Sequence, residues 1–98
     1  MGTISLPWNV GVMPANEWVA YSVRARLWDI YGRRARIKSI LVRNSSTADL
    51  TEHHSGGLIE TGERKRLDYP GGADYVMLKA DAATSDGDVT ADLEIEVP

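Results

Sequence analysis

The chain of 98 residues contains no cysteine and no phenylalanine. Without cysteine there is no disulfide, no thiolate nucleophile and no thiolate metal site. Small secreted domains often depend on disulfides, so an intracellular or partner-supported setting is the expectation. Without phenylalanine, the interior falls to Val, Leu, Ile, three Trp and four Tyr. Nowhere is there the run of ~18–20 apolar residues that a membrane-spanning helix requires, and no membrane is expected as a partner. The opening MGTISLPWNV lacks the basic start and long apolar stretch of a signal peptide. No segment of ten or more residues carries a helical period. Also missing are Gly-x-Ser-x-Gly and a phosphate-cradling glycine loop followed by lysine. Ser22, Ser39, Ser45, Ser46, Ser55 and Ser85 lie in no nucleophile setting. The expectation is therefore a non-enzymatic protein with no cofactor and no catalytic residue.

What is present is two-residue alternation. In Val89–Val97, residues Val89, Ala91, Leu93, Ile95 and Val97 alternate with Thr90, Asp92, Glu94 and Glu96. A period of two places the first set on a core face and the second in water. Glu17–Asp29 reads the same way, as a long strand. Val19, Tyr21, Val23, Ala25 and Leu27 form its inner face, and Trp18, Ala20, Ser22, Arg24, Arg26 and Trp28 its outer face. Asp29–Arg34 with Gly32 reads as a turn, and Ala35–Asn44 as the returning strand. Weaker strands follow at Asp49–His53 and Leu58-Ile59, then Glu63–Tyr69 and Tyr75–Ala80. Tyr69–Asp74, with Pro70, Gly71 and Gly72, reads as a turn cluster. About seven strands with turn signals every 8–12 residues indicate an all-β antiparallel sandwich, jelly-roll or immunoglobulin-like. Residues 1–16, punctuated by Pro7, Gly11 and Pro14, read as an extended N-terminal arm with at most a short edge strand near Thr3–Leu6, and residues 17–98 as the sandwich domain.

The hydrophobic fraction of 43% is that of a globular chain, and the net charge of −3 hides an uneven distribution. From Arg24 to Arg43 there are seven basic residues and one acid; from Asp81 to Pro98 there are six acids and no base. That asymmetry suits either head-to-tail packing of copies or oppositely charged neighbouring strands within one fold. The basic stretch with Trp18 and Trp28 is the one nucleic-acid-like feature. With an acidic chain and no recognition-module pattern, nucleic acid is not an expected partner. His53 and His54 point to opposite faces if they lie on a strand, so they do not chelate one metal readily and read as a surface pair. Asp81, Asp86 and Asp88 share a loop with Gly87, but their spacing does not make a full calcium loop, and turns want the same residues. No metal site is assigned. Trp and Arg on one outer face are typical of interfaces. The candidate interface is Trp8, Trp18, Arg24, Arg26, Trp28, Arg33 and Arg34. An exposed Trp is also a platform for a sugar ring.

Four stretches carry a family resemblance: Ile37–Ser46, a strand ending in Arg43-Asn44-Ser45; Gly57–Glu63 with its glycine turn; Tyr75–Ala80; and the closing strand Val89–Pro98. Together they resemble the small β-sandwich virion proteins of tailed bacteriophages, of the capsid decoration or capsid-associated kind. The resemblance covers about two-thirds of the chain, and residues 1–36 contribute nothing to it. It implies a structural role in the virion after assembly in the host cytoplasm, docking on the major capsid protein or another virion protein, as a homo-oligomer such as a trimer. The alternatives are a carbohydrate- or protein-binding sandwich module and a small phage-encoded inhibitor.

Overall fold

The computed structural model describes residues 2–98 and shows eight strands in two antiparallel four-stranded sheets. The first strand, β1, is Gly2–Asn9, and β2 is Trp18–Ser22. Two single helical turns follow, α1 at Val23–Arg26 and α2 at Trp28–Tyr31. Then come β3 (Arg36–Asn44), β4 (Leu50–Glu52), β5 (Leu58–Ile59), β6 (Arg64–Ala73), β7 (Tyr75–Ala80) and β8 (Val89–Val97). One sheet has the order β1-β8-β3-β6 and the other β2-β7-β4-β5. Each strand is paired with the one that sums with it to nine, and only β4 and β5 are consecutive neighbours in one sheet. This is the winding of a jelly roll, an antiparallel ribbon folded over on itself into two layers, and it decides between the two sandwich types.

The interior is supplied by the residues that alternation assigns to it. Val89, Ala91, Leu93 and Ile95 of β8, Val76 and Leu78 of β7, and Ile37, Ile40 and Val42 of β3 are all buried. In β3 the alternation slips because Lys38 is an extra residue: Ile37 faces Ile95 while Ser39 faces Glu94. A bulge of this kind shifts the facing of the residues beyond it, which is why Ser39 and Ile40 are buried together.

Three expectations are corrected. First, the N-terminal segment is not an arm over its first half. Gly2–Asn9 pairs with β8 at eight positions, turning Ile4, Leu6 and Trp8 inward. Pro7 is tolerated because β1 is an edge strand. Residues 10–16 then cross to the other sheet with Met13 fully buried and Asn16 N–H donating to the Ala80 carbonyl at 2.7 Å. Second, Glu17–Asp29 is not one strand. After β2 the chain coils: the Ser22 hydroxyl accepts from Ala25 N–H at 3.2 Å, and Leu27 N–H donates to the Val23 carbonyl at 2.7 Å. A serine at this position satisfies a donor that the turn itself leaves free. Val23 and Leu27 are buried, whereas Ala25, placed between them by a strand reading, is exposed.

Third, Tyr69–Asp74 is not a simple turn. β6 runs through it, but its pairing jumps from Asp68–Ser39 to Ala73–Ile37, so Tyr69–Gly72 bulge out before the chain reverses at Asp74. Gly72 has φ +83°, and a Cβ there would lie 2.7 Å from the Arg36 Cβ. Gly72→Ala is therefore expected to destabilise the domain by about 1–3 kcal/mol, measured by chemical denaturation.

Candidate binding face and groove

The two outer faces of the sandwich differ in chemistry. On the β1-β8-β3-β6 sheet, Asp92, Glu94 and Glu96 project outward from β8 and meet bases on neighbouring strands. Arg43 pairs with Asp92, Arg66 with Glu94 at 3.2 Å and Lys38 with Glu96 at 3.8 Å. These are exposed pairs worth at most about 1 kcal/mol each. They join Lys38 and Arg43 of the basic stretch to the acids of β8, whereas Arg24, Arg26, Arg33 and Arg34 have no part in such pairs among the described residues.

The outer face of the β2-β7-β4-β5 sheet carries little charge. Register places Trp18, Ala20 and Ser22 of β2 beside Lys79, Met77 and Tyr75 of β7, with Thr51 and His53 beyond and Leu58 on the edge. Trp18, Leu58 and Tyr75 are three of the five large hydrophobic side chains exposed among the described residues. Lys79 sits 4.8 Å over the Trp18 ring, and the Lys65 ammonium reaches the edge, donating to the Leu58 carbonyl at 3.0 Å. Trp18 and His53 come from strands on either side of β7, and their rings meet edge to face at 5.5 Å. The ring contacts continue from His53 to His54 at 5.3 Å, from His54 to Tyr75 at 5.1 Å and from His54 to Tyr69 at 5.4 Å.

This belt is held from beneath by Glu52. The side chain of Glu52 is fully buried, and its carboxylate accepts from the backbone N–H groups of His54 and Ser55 and from the Ser55 hydroxyl at 2.6 Å. Burial pushes the Glu52 carboxyl up, but these donors more than offset it, and the group stays below the ordinary carboxylate range. Burial, followed by the nearby Glu52 charge, raises the Tyr69 phenol well above the usual tyrosine range. His54 is fixed a second time, its Nε2 lying 2.8 Å from the Tyr75 carbonyl oxygen and donating to it in the Nε2–H tautomer.

Beside the belt a groove of about 470 Å³ opens between the 53–56 turn and the β6–β7 corner, lined among others by His54, Asp68, Tyr69, Asp74 and Tyr75. No protein-family model, curated protein or solved structure matches this chain. Its chemistry is thus read from its own side chains. Among the described residues no three His, Asp or Glu side chains gather as a metal site. Asp81, Asp86 and Asp88 are each engaged separately, accepting from Asp49 N–H, the Asn9 amide and Ser85 N–H.

The candidate interface residues are dispersed. Trp8 is a correction: it is 4% exposed and lies in the core, edge to face with Tyr21 at 5.6 Å. Trp18 is 42% exposed on the sheet face. Arg24 and Arg26 project from α1 and are exposed, Arg24 5.4 Å over the Trp28 ring and Arg26 4.5 Å over Tyr21. Trp28 is half-buried, with Arg36 5.9 Å from its ring as well. Arg33 and Arg34 are exposed just beyond Gly32. The structure therefore does not set Trp18 on one strand face with Arg24, Arg26 and Trp28, because the coil after Ser22 turns the latter three away. His53, His54, Tyr69, Tyr75, Met77 and Leu58 belong to the face and its groove but were outside the candidate set. The outward alternation Tyr75-Met77-Lys79 was the available signal for part of it.

Proposed function

We propose that this chain is a non-catalytic virion structural protein, of the capsid decoration or capsid-associated kind, which assembles through the outer face of its β2-β7-β4-β5 sheet. The observation that carries the docking part is the contrast between the two outer faces: one is covered with paired charges, while the other presents Trp18, Tyr75 and Leu58, with Lys79 over the Trp18 ring and Lys65 at the edge. Apolar and aromatic surface of this kind marks interaction sites on otherwise well-behaved domains. The virion part is supported by the resemblance of the stretches within Ile37–Pro98 and, as a fold-level analogy, by the jelly-roll winding common among capsid and lectin domains. The expected partners are further copies of the chain, with the trimer as the implied state, and a capsid or other virion protein.

Trp18→Ala tests this reading. Trp18 is well exposed, so the substitution should leave monomer stability within about 0.5 kcal/mol. As a central aromatic anchor it should weaken association roughly 30-fold or more, the effect of losing about 2 kcal/mol at an interface. Light scattering on the purified protein and co-sedimentation with particles provide the readouts. A wild-type chain that stays monomeric and fails to sediment with particles would overturn the proposal.

A further inference from the structure

The groove at the β6–β7 corner is separate from the centre of the sheet face: Trp18, Met77, Lys79 and Leu58 do not line it. We infer that it is a binding site for a neutral saccharide, with Tyr75 and His54 as the stacking platform and Asp68 and Asp74 as acceptors for hydroxyl groups. The inference does not depend on the virion reading.

Three features support it. The first is an exposed ring surface held rigid. Tyr75 is 38% exposed and His54 is exposed, their centroids 5.1 Å apart, while Tyr69 closes the inner wall. The apolar C–H face of a pyranose packs on such rings through the same dispersion and quadrupole forces that pair aromatic side chains. The His54 ring is pinned by the Tyr75 carbonyl, and its turn by the buried Glu52, so little ordering remains for a ligand to induce. An ionised carboxylate fully buried under a surface turn is an expensive way to hold a loop, and what it holds here is the platform.

The second feature is a pair of carboxylates in the same groove, each steadied by an arginine. Asp68 Oδ1 lies 3.2 Å from Arg66 Nε, and Asp74 Oδ1 lies 3.0 Å from Arg36 Nε. In each aspartate the other oxygen makes no contact of this kind among the described residues, leaving it to accept from a hydroxyl group. Hydrogen bonds to a charged acceptor are the strong kind. The third feature is charge. Asp74 faces the Arg36 guanidinium and Asp68 shares the Arg66 guanidinium with Glu94, so each carboxylate has a cationic partner before an ammonium group arrives. The same carboxylates disfavour phosphate. A polyol with an apolar face uses both halves of the lining. The volume of about 470 Å³ falls in the range of small-ligand sites.

The test is a titration of the isotope-labelled full chain, followed by amide chemical shifts. The probes are the methyl glycosides of glucose, galactose, mannose and N-acetylglucosamine, with choline, lysine and inorganic phosphate as competing chemistries. A printed array of longer glycans extends the panel. Saturable shifts with at least one sugar, centred on His54, Gly72, Asp74 and Tyr75, are expected. Tyr75→Ala should weaken binding at least tenfold. So should Asp68→Ala, whose exposed side chain can be removed without threatening the fold. Trp18→Ala should leave binding within twofold. Absence of binding to every glycoside and to the array overturns the inference. So does saturable binding of choline, lysine or phosphate at this groove in place of sugar, or equal loss of sugar binding with Trp18→Ala. Failure of Trp18→Ala to disturb assembly would count against the docking face alone and leave this site untouched.

Discussion

Trp8→Ala is expected to remove about 3–5 kcal/mol of folding free energy, the range for truncating a fully packed tryptophan. A domain of this length holds roughly 5–15 kcal/mol in total, so the variant should lose about a fifth or more of its stability and melt about 15–30 °C lower. The size of the effect follows from position. Trp8 lies near the end of β1, an edge strand bound to the domain through β8 alone, and it faces Ala91, a small residue that leaves room for the indole. Across the interior its ring meets Tyr21, which belongs to the other sheet. The indole therefore connects the two layers, and its loss leaves a cavity between them as well as loosening β1. Denaturant titration of dilute monomer gives the measurement. An interface role would produce the reverse pattern, with monomer stability unchanged and only assembly weakened.

The place of Trp8 in the core shows what alternation reveals and what it conceals. Ile4, Leu6, Trp8 and Val10 have the same two-residue period as Val89–Val97, but Pro7, Gly11 and Pro14 among them looked like breaks. A proline interrupts a ladder only where its missing N–H has a partner to lose, and that depends on whether the strand lies at an edge, which is a property of topology. The long-strand reading of Glu17–Asp29 failed for a different reason. Positions i and i+4 share a face both in a strand and in a helical turn, so Val23 and Leu27 could not discriminate between them. Ala25 could, and alanine is at home both inside and outside. Where large side chains alternate strictly, as in Tyr75–Ala80 and Val89–Val97, facing and boundaries were legible.

The binding face was least legible because it is assembled from distant segments. Trp18, His53, Tyr69 and Tyr75 lie on β2, beyond β4, on β6 and on β7; the order of one sheet brings the first, second and fourth together, and the β6–β7 corner between the two sheets adds Tyr69. His53 and His54 lie in a turn and not on a strand, so their rings do not diverge: the centroids are 5.3 Å apart and both meet Tyr75. Beyond that shared contact, His53 meets Trp18 and His54 meets Tyr69. The Arg/Trp pattern that first pointed to an interface does exist, but it is folded onto the two helical turns, where guanidinium groups lie over Trp28 and Tyr21.

Glu52→Ala is expected to cost about 1.5–3 kcal/mol, the range for hydrogen bonds to a charged group, since the partners left behind are neutral donors. The carboxylate satisfies two backbone N–H groups and one hydroxyl in the 52–55 turn. Without it those donors must turn to water, and the His54 ring loses its anchored backbone. Glu52→Gln keeps the shape but offers one acceptor oxygen where there were two and turns an N–H toward existing donors, so about half that loss is expected. The pH dependence separates the charge from the shape. The folded carboxyl lies below its ordinary value of 4.5, so the unfolded chain takes up a proton first as pH falls. The stabilisation is thus complete above about pH 4.5 and is lost as the solution is acidified through that value and the lower folded one. Unfolding free energy measured from pH 6 down to pH 3 should fall more steeply for the wild type than for Glu52→Gln, and the two curves should converge at the acid end. Parallel curves would mean that folding does not favour the charged form of Glu52 over the neutral one. The buried charge would then have no part in steadying the platform that His54 and Tyr75 present.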